Sequence, residues 1–172
     1  MNDWSTIVEE HGPDVWRTAY RLLSNHEDAS DCYQETFLAA VDFARRQKVA
    51  CWPAVLKRIV TARALDQLRR RYRAAGRNQR LDDAHEPAAM APSPDVLAQL
   101  RESMEQLRQA LTEIHPTQAQ VFWLSEVELL SHTDIAAQLG ATTQQVALWL
   151  HRGKKSLKKL LVERGAVSEI RP

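Results

Sequence analysis

LSHTDIAAQLGATTQQVALWLHRGKKSLKKLL, residues 130–161, is the stretch whose spacing decides the fold class. Ser131 can cap a short helix that turns Ile135, Ala136 and Leu139 inward, and the small Ala136 permits a close helix crossing. Gly140 follows where a left-handed turn residue is wanted. Thr142 and Gln145 then make a capping-box start for a longer helix, which buries Val146, Leu150, Gly153, Leu157 and Leu160 along one face. A short helix, a tight turn and a long helix in this register predict a helix-turn-helix. The other face of the long helix offers Thr143, Gln144, Gln145, Leu148, Trp149, His151, Arg152 and Lys155 to a DNA major groove, with Lys154, Lys158 and Lys159 nearer the backbone.

Upstream of this motif, Val96–Ile114 and Thr117–Glu128 read as two helices parted by His115 and Pro116, with Leu100, Met104, Leu107 and Leu111 as an apolar stripe. Residues 96–172 therefore form one small helical domain. Residues 74–95 (AAGRNQRLDDAHEPAAMAPSPD) contain Gly76, Pro87, Pro92 and Pro94 and keep no period, which predicts a flexible linker. Residues 1–73 form the other small domain, and its first helix covers Thr6–Leu23. A second helix starts at Asn25, a good N-cap, with Ala29, Cys32, Tyr33, Thr36, Phe37, Ala40, Val41 and Ala44 inward. Its opposite face carries Asp28, Asp31, Glu35 and Asp42 around Leu38. Such a strip suits a partner, although surface helices also line up acids opposite their apolar stripe.

The segment Arg45–Trp52 (RRQKVACW) breaks the helical period and reads as a basic loop, with Pro53 suited to the first turn of a third helix. That helix places Val60, Ala64, Leu65, Leu68 and Tyr72 on one side and Arg58, Arg63, Arg69, Arg70 and Arg73 off it, where they can face phosphates.

The 172 residues are 44% hydrophobic and 26% charged, ordinary for a globular protein, and five glycines favour helices over turn-rich β structure. The expected fold class is all-α, two small helical domains joined by a flexible linker. A net charge of +1 hides alternation: residues 1–43 sum to −7, 44–73 to +9, 74–130 to −5 and 131–172 to +4. Two basic blocks, each closing a helical domain, point to polyanion contacts. No cationic start with an apolar run and no long apolar stretch is present, so a cytoplasmic chain without membrane insertion is expected. Cys32 and Cys51 lack metal-site spacing and read as structural thiols. No phosphate-binding glycine loop, nucleophile elbow or zinc motif occurs, so no catalytic residue, metal or cofactor is expected.

With both halves in view, the chain resembles the extracytoplasmic-function (ECF) group of bacterial sigma factors. NHEDASDCYQETFLAAV, residues 25–41, is similar to the family's core-binding helix, and LKRIVTARALDQLRRRYR, residues 56–73, to its promoter-melting helix. VFWLSEVELL, residues 121–130, together with the helix-turn-helix resembles the domain that reads the upstream promoter element. The resemblance implies a factor that binds core RNA polymerase, through the β′ clamp helices and the β flap, and directs initiation at promoter DNA.

It further implies that Asp28, Asp31, Gln34, Glu35 and Leu38 meet polymerase. Arg46, Lys48 and Trp52 would capture a flipped base of the downstream element, with Arg58, Arg63, Arg69, Arg70 and Arg73 on adjacent backbone. An anti-sigma factor is a further partner this family admits. Thr61 and Ala62 depart from the usual Arg-Asn of the melting helix, and Ala147, Leu148 and Trp149 from the usual Lys, Ser and Arg of the reading helix. These departures keep two alternatives open: a helix-turn-helix regulator that never engages polymerase, and a sigma-like module that works through protein contacts.

Overall fold

The computed structural model describes residues 3–76 and 94–166. Most of the linker expected over 74–95 lies outside the described residues; Ala74 and Ala75 still belong to a helix, and the next begins at Pro94.

Three helices make the first module. Helix α1, Trp4–Leu23, starts earlier than the expected Thr6 because the Asp3 carboxylate accepts the Ser5 and Thr6 N–H groups at 3.1 and 3.4 Å. It runs through Pro13, which lacks an N–H for the helix ladder and lies on the exposed side of the helix. Gly12 lets the Tyr33 hydroxyl come close, since a Cβ there would stand 2.7 Å from it and the tyrosine would have to shift. Helix α2, His26–Arg46, is capped as expected, with the Asn25 side chain accepting the Asp28 N–H at 2.9 Å. The loop is shorter than RRQKVACW: Arg45 and Arg46 stay in the last turn of α2, and Trp52 opens α3, Trp52–Ala75.

Cys32 sits in the middle of this bundle with no solvent exposure, its thiol directed at the Val60 carbonyl at 3.9 Å, while Cys51 is exposed at the start of α3. Burial pushes the Cys32 thiol up to about 11, with the Glu35 charge adding and the Thr36 hydroxyl opposing. A maleimide reagent at pH 8 should therefore modify one thiol per native chain, Cys51, and two after denaturation, as read by mass spectrometry.

The second module holds α4, Pro94–Glu113, α5, Pro116–Phe122, α6, His132–Leu139, and α7, Thr143–Glu163. The single helix expected over Thr117–Glu128 is corrected: after α5 the chain widens into a π-helical turn, Trp123–Val127, closed by Glu128 N–H on the Trp123 carbonyl at 3.0 Å. Neighbouring Trp123 and Leu124 in this turn, both without solvent exposure, enter two different hydrophobic clusters.

One cluster, of Val121, Leu124, Ile135, Ala136, Val146 and Leu150, lies within the second module, where α5 and the π turn pack on the helix-turn-helix. The other joins the modules: Ala110, Leu111, Ile114, Ala119, Trp123 and Leu157 pack into the same core as Leu22, Val60, Leu65 and Leu68. The two modules therefore lie against each other through a common core, where the sequence suggested two small domains joined by a flexible linker. Among the described residues no helix is long and apolar enough to cross a membrane.

Leu129 ends the π turn at φ 56° with 81% of its surface exposed. A left-handed leucine is sterically costly, and its side chain returns no burial. Leu129→Gly is expected to stabilise the fold by about 1 kcal/mol, measured as a raised midpoint in urea unfolding.

Candidate partner and nucleic-acid interfaces

The acidic strip on α2 divides into two parts. Asp31, Gln34, Glu35 and Asp42 are exposed, and Leu38 among them shows 68% of its surface. Asp28 is half-buried and tied to Arg71 at 3.3 Å, while the same Arg71 nitrogen donates to the Leu23 carbonyl at 2.6 Å. Asp28 thus secures the junction of α1, α2 and α3. Glu35 pairs with Arg63 of α3 at 2.9 Å, so residues expected to meet different partners meet each other across α2 and α3.

The basic side of the first module divides in the same way. Arg46, Lys48, Arg70 and Arg73 are exposed, and Arg63 is half-exposed. Trp52 is half-buried and held edge-on by Trp4, their ring centres 5.1 Å apart, which fixes an aromatic platform beside the Gln47–Cys51 loop. Arg58 and Arg69, expected to face phosphates, are covered. The Arg58 guanidinium lies 5.0 Å from the Phe43 ring centre, burial lowers its pKa, and its backbone carbonyl accepts the Gln120 amide of α5 at 3.2 Å. Arg69 is 9% exposed and bonds Asp66 at 3.1 Å, leaving two of its nitrogens without a partner. The expectation treated the off-stripe face of α3 as solvent; part of that face packs against α4 and α5.

On α7, the capping box forms as read: Thr142 Oγ1 accepts the Gln145 N–H at 3.1 Å and Gln145 Oε1 accepts the Thr142 N–H at 2.9 Å. Gln145 therefore has its carbonyl occupied. Trp149 is half-buried against the helix-turn-helix core, which draws it off the exposed face, and Lys154 pairs with Glu126 at 2.8 Å. Thr143, Gln144, Leu148, His151, Arg152 and Lys155 are exposed, Leu148 to 45%. Gln144, Leu148, Arg152 and Lys155 recur at helical spacing along one line of that face, an amide and an apolar group followed by two cations.

Comparison with known families decides what these surfaces belong to. The model of sigma-70 region 2 matches residues 7–74, and that of sigma-70 region 4 matches residues 104–157. The chain belongs to the sigma-70 family, ECF type. It is 32% identical over 164 residues to the ECF RNA polymerase sigma factor SigE of Mycolicibacterium smegmatis, covering 95% of this chain and 63% of that protein's length. It is 29% identical over 157 residues to the RNA polymerase sigma factor CarQ of Myxococcus xanthus, covering 91% and 88%. The sigma factor RpoE of Bartonella quintana, solved in complex with the anti-sigma factor NepR, shares the fold with a TM-score of 0.58 at 21% identity, covering 94% and 98%.

Regions 2 and 4 meet along a seam that sequence reasoning missed. The Glu128 side chain, 7% exposed, accepts the Thr18 hydroxyl of α1 at 2.7 Å and the Trp123 indole N–H at 3.2 Å on one oxygen. Lys57 of α3 stands 3.5 Å from the other oxygen and donates to the Glu128 backbone carbonyl at 3.2 Å. Arg108 of α4 donates to the Arg21 carbonyl near the end of α1 at 2.9 Å, and the Tyr72 hydroxyl donates to Glu105. An acid set within the apolar run VFWLSEVELL was the available signal for Glu128. Lys57 and Thr18 gave none, because their partner lies in the other region.

Proposed function

We propose that the chain is a transcription initiation factor that binds core RNA polymerase and directs it to a particular class of promoters. The supporting observation is the division of region 2 into two exposed surfaces of opposite sign. Asp31, Gln34, Glu35, Leu38 and Asp42 on α2 form the contact with the β′ clamp helices; Asp28 supports it from beneath through Arg71. Arg46, Lys48, Arg70 and Arg73, with the Trp52 platform, meet the downstream element, where a flipped base needs a stacking surface and its backbone needs cations. Region 4 docks on the β flap and reads the upstream element with α7. Gln144 suits an adenine edge, Leu148 a thymine methyl, and Arg152 and Lys155 the base or backbone beyond. Polymerase supplies the chemistry and the chain supplies recognition, in the cytoplasm and without a cofactor. An anti-sigma factor, the kind of partner seen on the Bartonella RpoE, is proposed as its regulator.

The test is binding to sigma-free bacterial core polymerase, followed by promoter selection from a library of duplexes and run-off transcription on the selected sequence. Tight binding with start-site-specific transcripts is the expected result. No binding would sink the initiation reading and leave a sigma-like module that acts through other contacts.

A further inference from the structure

One flipped base uses the Trp52 indole, and a second indole stands beside it. Trp4, the first residue of α1, meets Trp52, the first residue of α3, with ring centres 5.1 Å apart and planes at 72°. Both rings are half-buried, each resting partly on the core of the first module and keeping part of its surface open. Among the described residues no other aromatic ring stacks on either. Local structure holds both in place. The Asp3 carboxylate accepts the Ser5 and Thr6 N–H groups and, at 2.8 Å, the Thr6 hydroxyl, which fixes the turn that carries Trp4. Extended Cys51 and Pro53 set the start of α3 and with it Trp52. Arg46 and Lys48 are exposed on the loop side, within a block of residues, 44–73, that sums to +9. Aromatic faces beside cations that track a backbone make a site for single-stranded nucleic acid. A base sandwiched between two rings needs parallel faces separated by twice the ~3.4 Å base rise. The two indoles touch and lie at a steep angle, so they do not share one base; they suit two bases that have both left the helical stack.

We propose that Trp4 is a second base-stacking residue, taking the base next to the one that stacks on Trp52, so that region 2 holds two successive unpaired bases of the downstream element. The proposal rests on the sigma reading above, which brings separated promoter strands to the Gln47–Cys51 loop. It gives the first turn of α1 a part in strand separation, because two adjacent bases held on two rings must both be released before the duplex closes again. Arg46 and Lys48 hold the backbone between them, and the indoles, which carry no charge, select for unpaired bases over duplex.

The experiment titrates the full chain, alone and with sigma-free core polymerase, against a labelled mixed-sequence single strand of about 12 nucleotides, read by fluorescence anisotropy at several salt concentrations. Trp4→Leu and Trp52→Leu keep apolar bulk and remove the ring. Each should weaken binding by about 5-fold, and the double variant by roughly 25-fold, because two rings on two bases contribute independently. Trp4→Phe restores a stacking face and should bind within about 2-fold of the unsubstituted chain. The salt dependence should stay the same in all four, since Arg46 and Lys48 are untouched, whereas a variant that only loosened the fold would lose slope as well as affinity. A double variant no weaker than Trp52→Leu would make Trp4 a buttress for Trp52 and overturn the proposal, as would a loss in Trp4→Leu that phenylalanine fails to restore. Unchanged binding in both single variants would overturn it together with the placement of the flipped base on Trp52. Multiplied losses in a chain that fails to bind polymerase would support the two-ring site while overturning the sigma reading.

Discussion

Replacing Asp31 and Glu35 together by arginine is expected to weaken binding to core RNA polymerase by at least about 100-fold, the result of like charges facing a partner that accepts acids. Both side chains are exposed on α2, in the two turns that precede Leu38. At position 35 the reversal also sets a cation against Arg63, which loses its 2.9 Å partner and repels the newcomer. Glu35 and Arg63 are partly solvated, so this internal penalty is small beside the loss at the interface. Circular dichroism and the melting temperature should stay close to those of the unsubstituted chain. Fluorescence anisotropy of labelled protein with sigma-free core enzyme gives the affinity, and unchanged binding in the double variant would remove α2 from the polymerase contact.

Trp123→Ala should cost about 3–5 kcal/mol of stability, the range for deleting a large buried aromatic side chain. Trp123 has no solvent exposure and stands in the core shared by regions 2 and 4. Its indole N–H also supplies one of the bonds that hold Glu128 at 3.2 Å, so its loss weakens the seam as well. Because the two regions share a core, the unsubstituted chain should unfold in guanidinium chloride as one transition seen alike by tryptophan fluorescence and circular dichroism. The variant should shift that midpoint down and separate the two signals, as region 2 and region 4 lose their common support. A single transition of unchanged midpoint would mean that the shared core contributes little.

Much of the fold was legible in the sequence because the rules that set it are local. Asn25, Ser131 and Thr142 cap the helices they were expected to cap, and Gly140 takes the left-handed turn at φ 62°. The apolar stripes placed Cys32, Val60, Leu68, Ile135 and Val146 inward, where the structure has them. The π turn over Trp123–Val127 escaped because no local pattern marks it. The surfaces were less legible than the core. Asp28 and Asp31 look alike in sequence, three residues apart in an acidic stripe, yet Arg71 arrives from α3 to engage the first and leaves the second free. Gln144 and Gln145 are adjacent and chemically identical, and the capping box occupies only one.

By itself, then, the sequence determined an all-α chain with a helix-turn-helix, an acidic helix, a basic loop and an arginine-rich helix. Each follows from a 3.6-residue period, a cap or a run of charge that neighbours within a few turns decide. Only the tertiary structure decided which of the polar faces stay open. Thr18 reaches Glu128 across 110 positions and Lys57 reaches it across 71, Arg58 lies against Phe43 of α2, and Arg69 keeps only 9% of its surface where its helix position promised exposure. Helical periodicity states which side of a helix is apolar, whereas covering the other side is a matter of what the distant half of the chain brings to it.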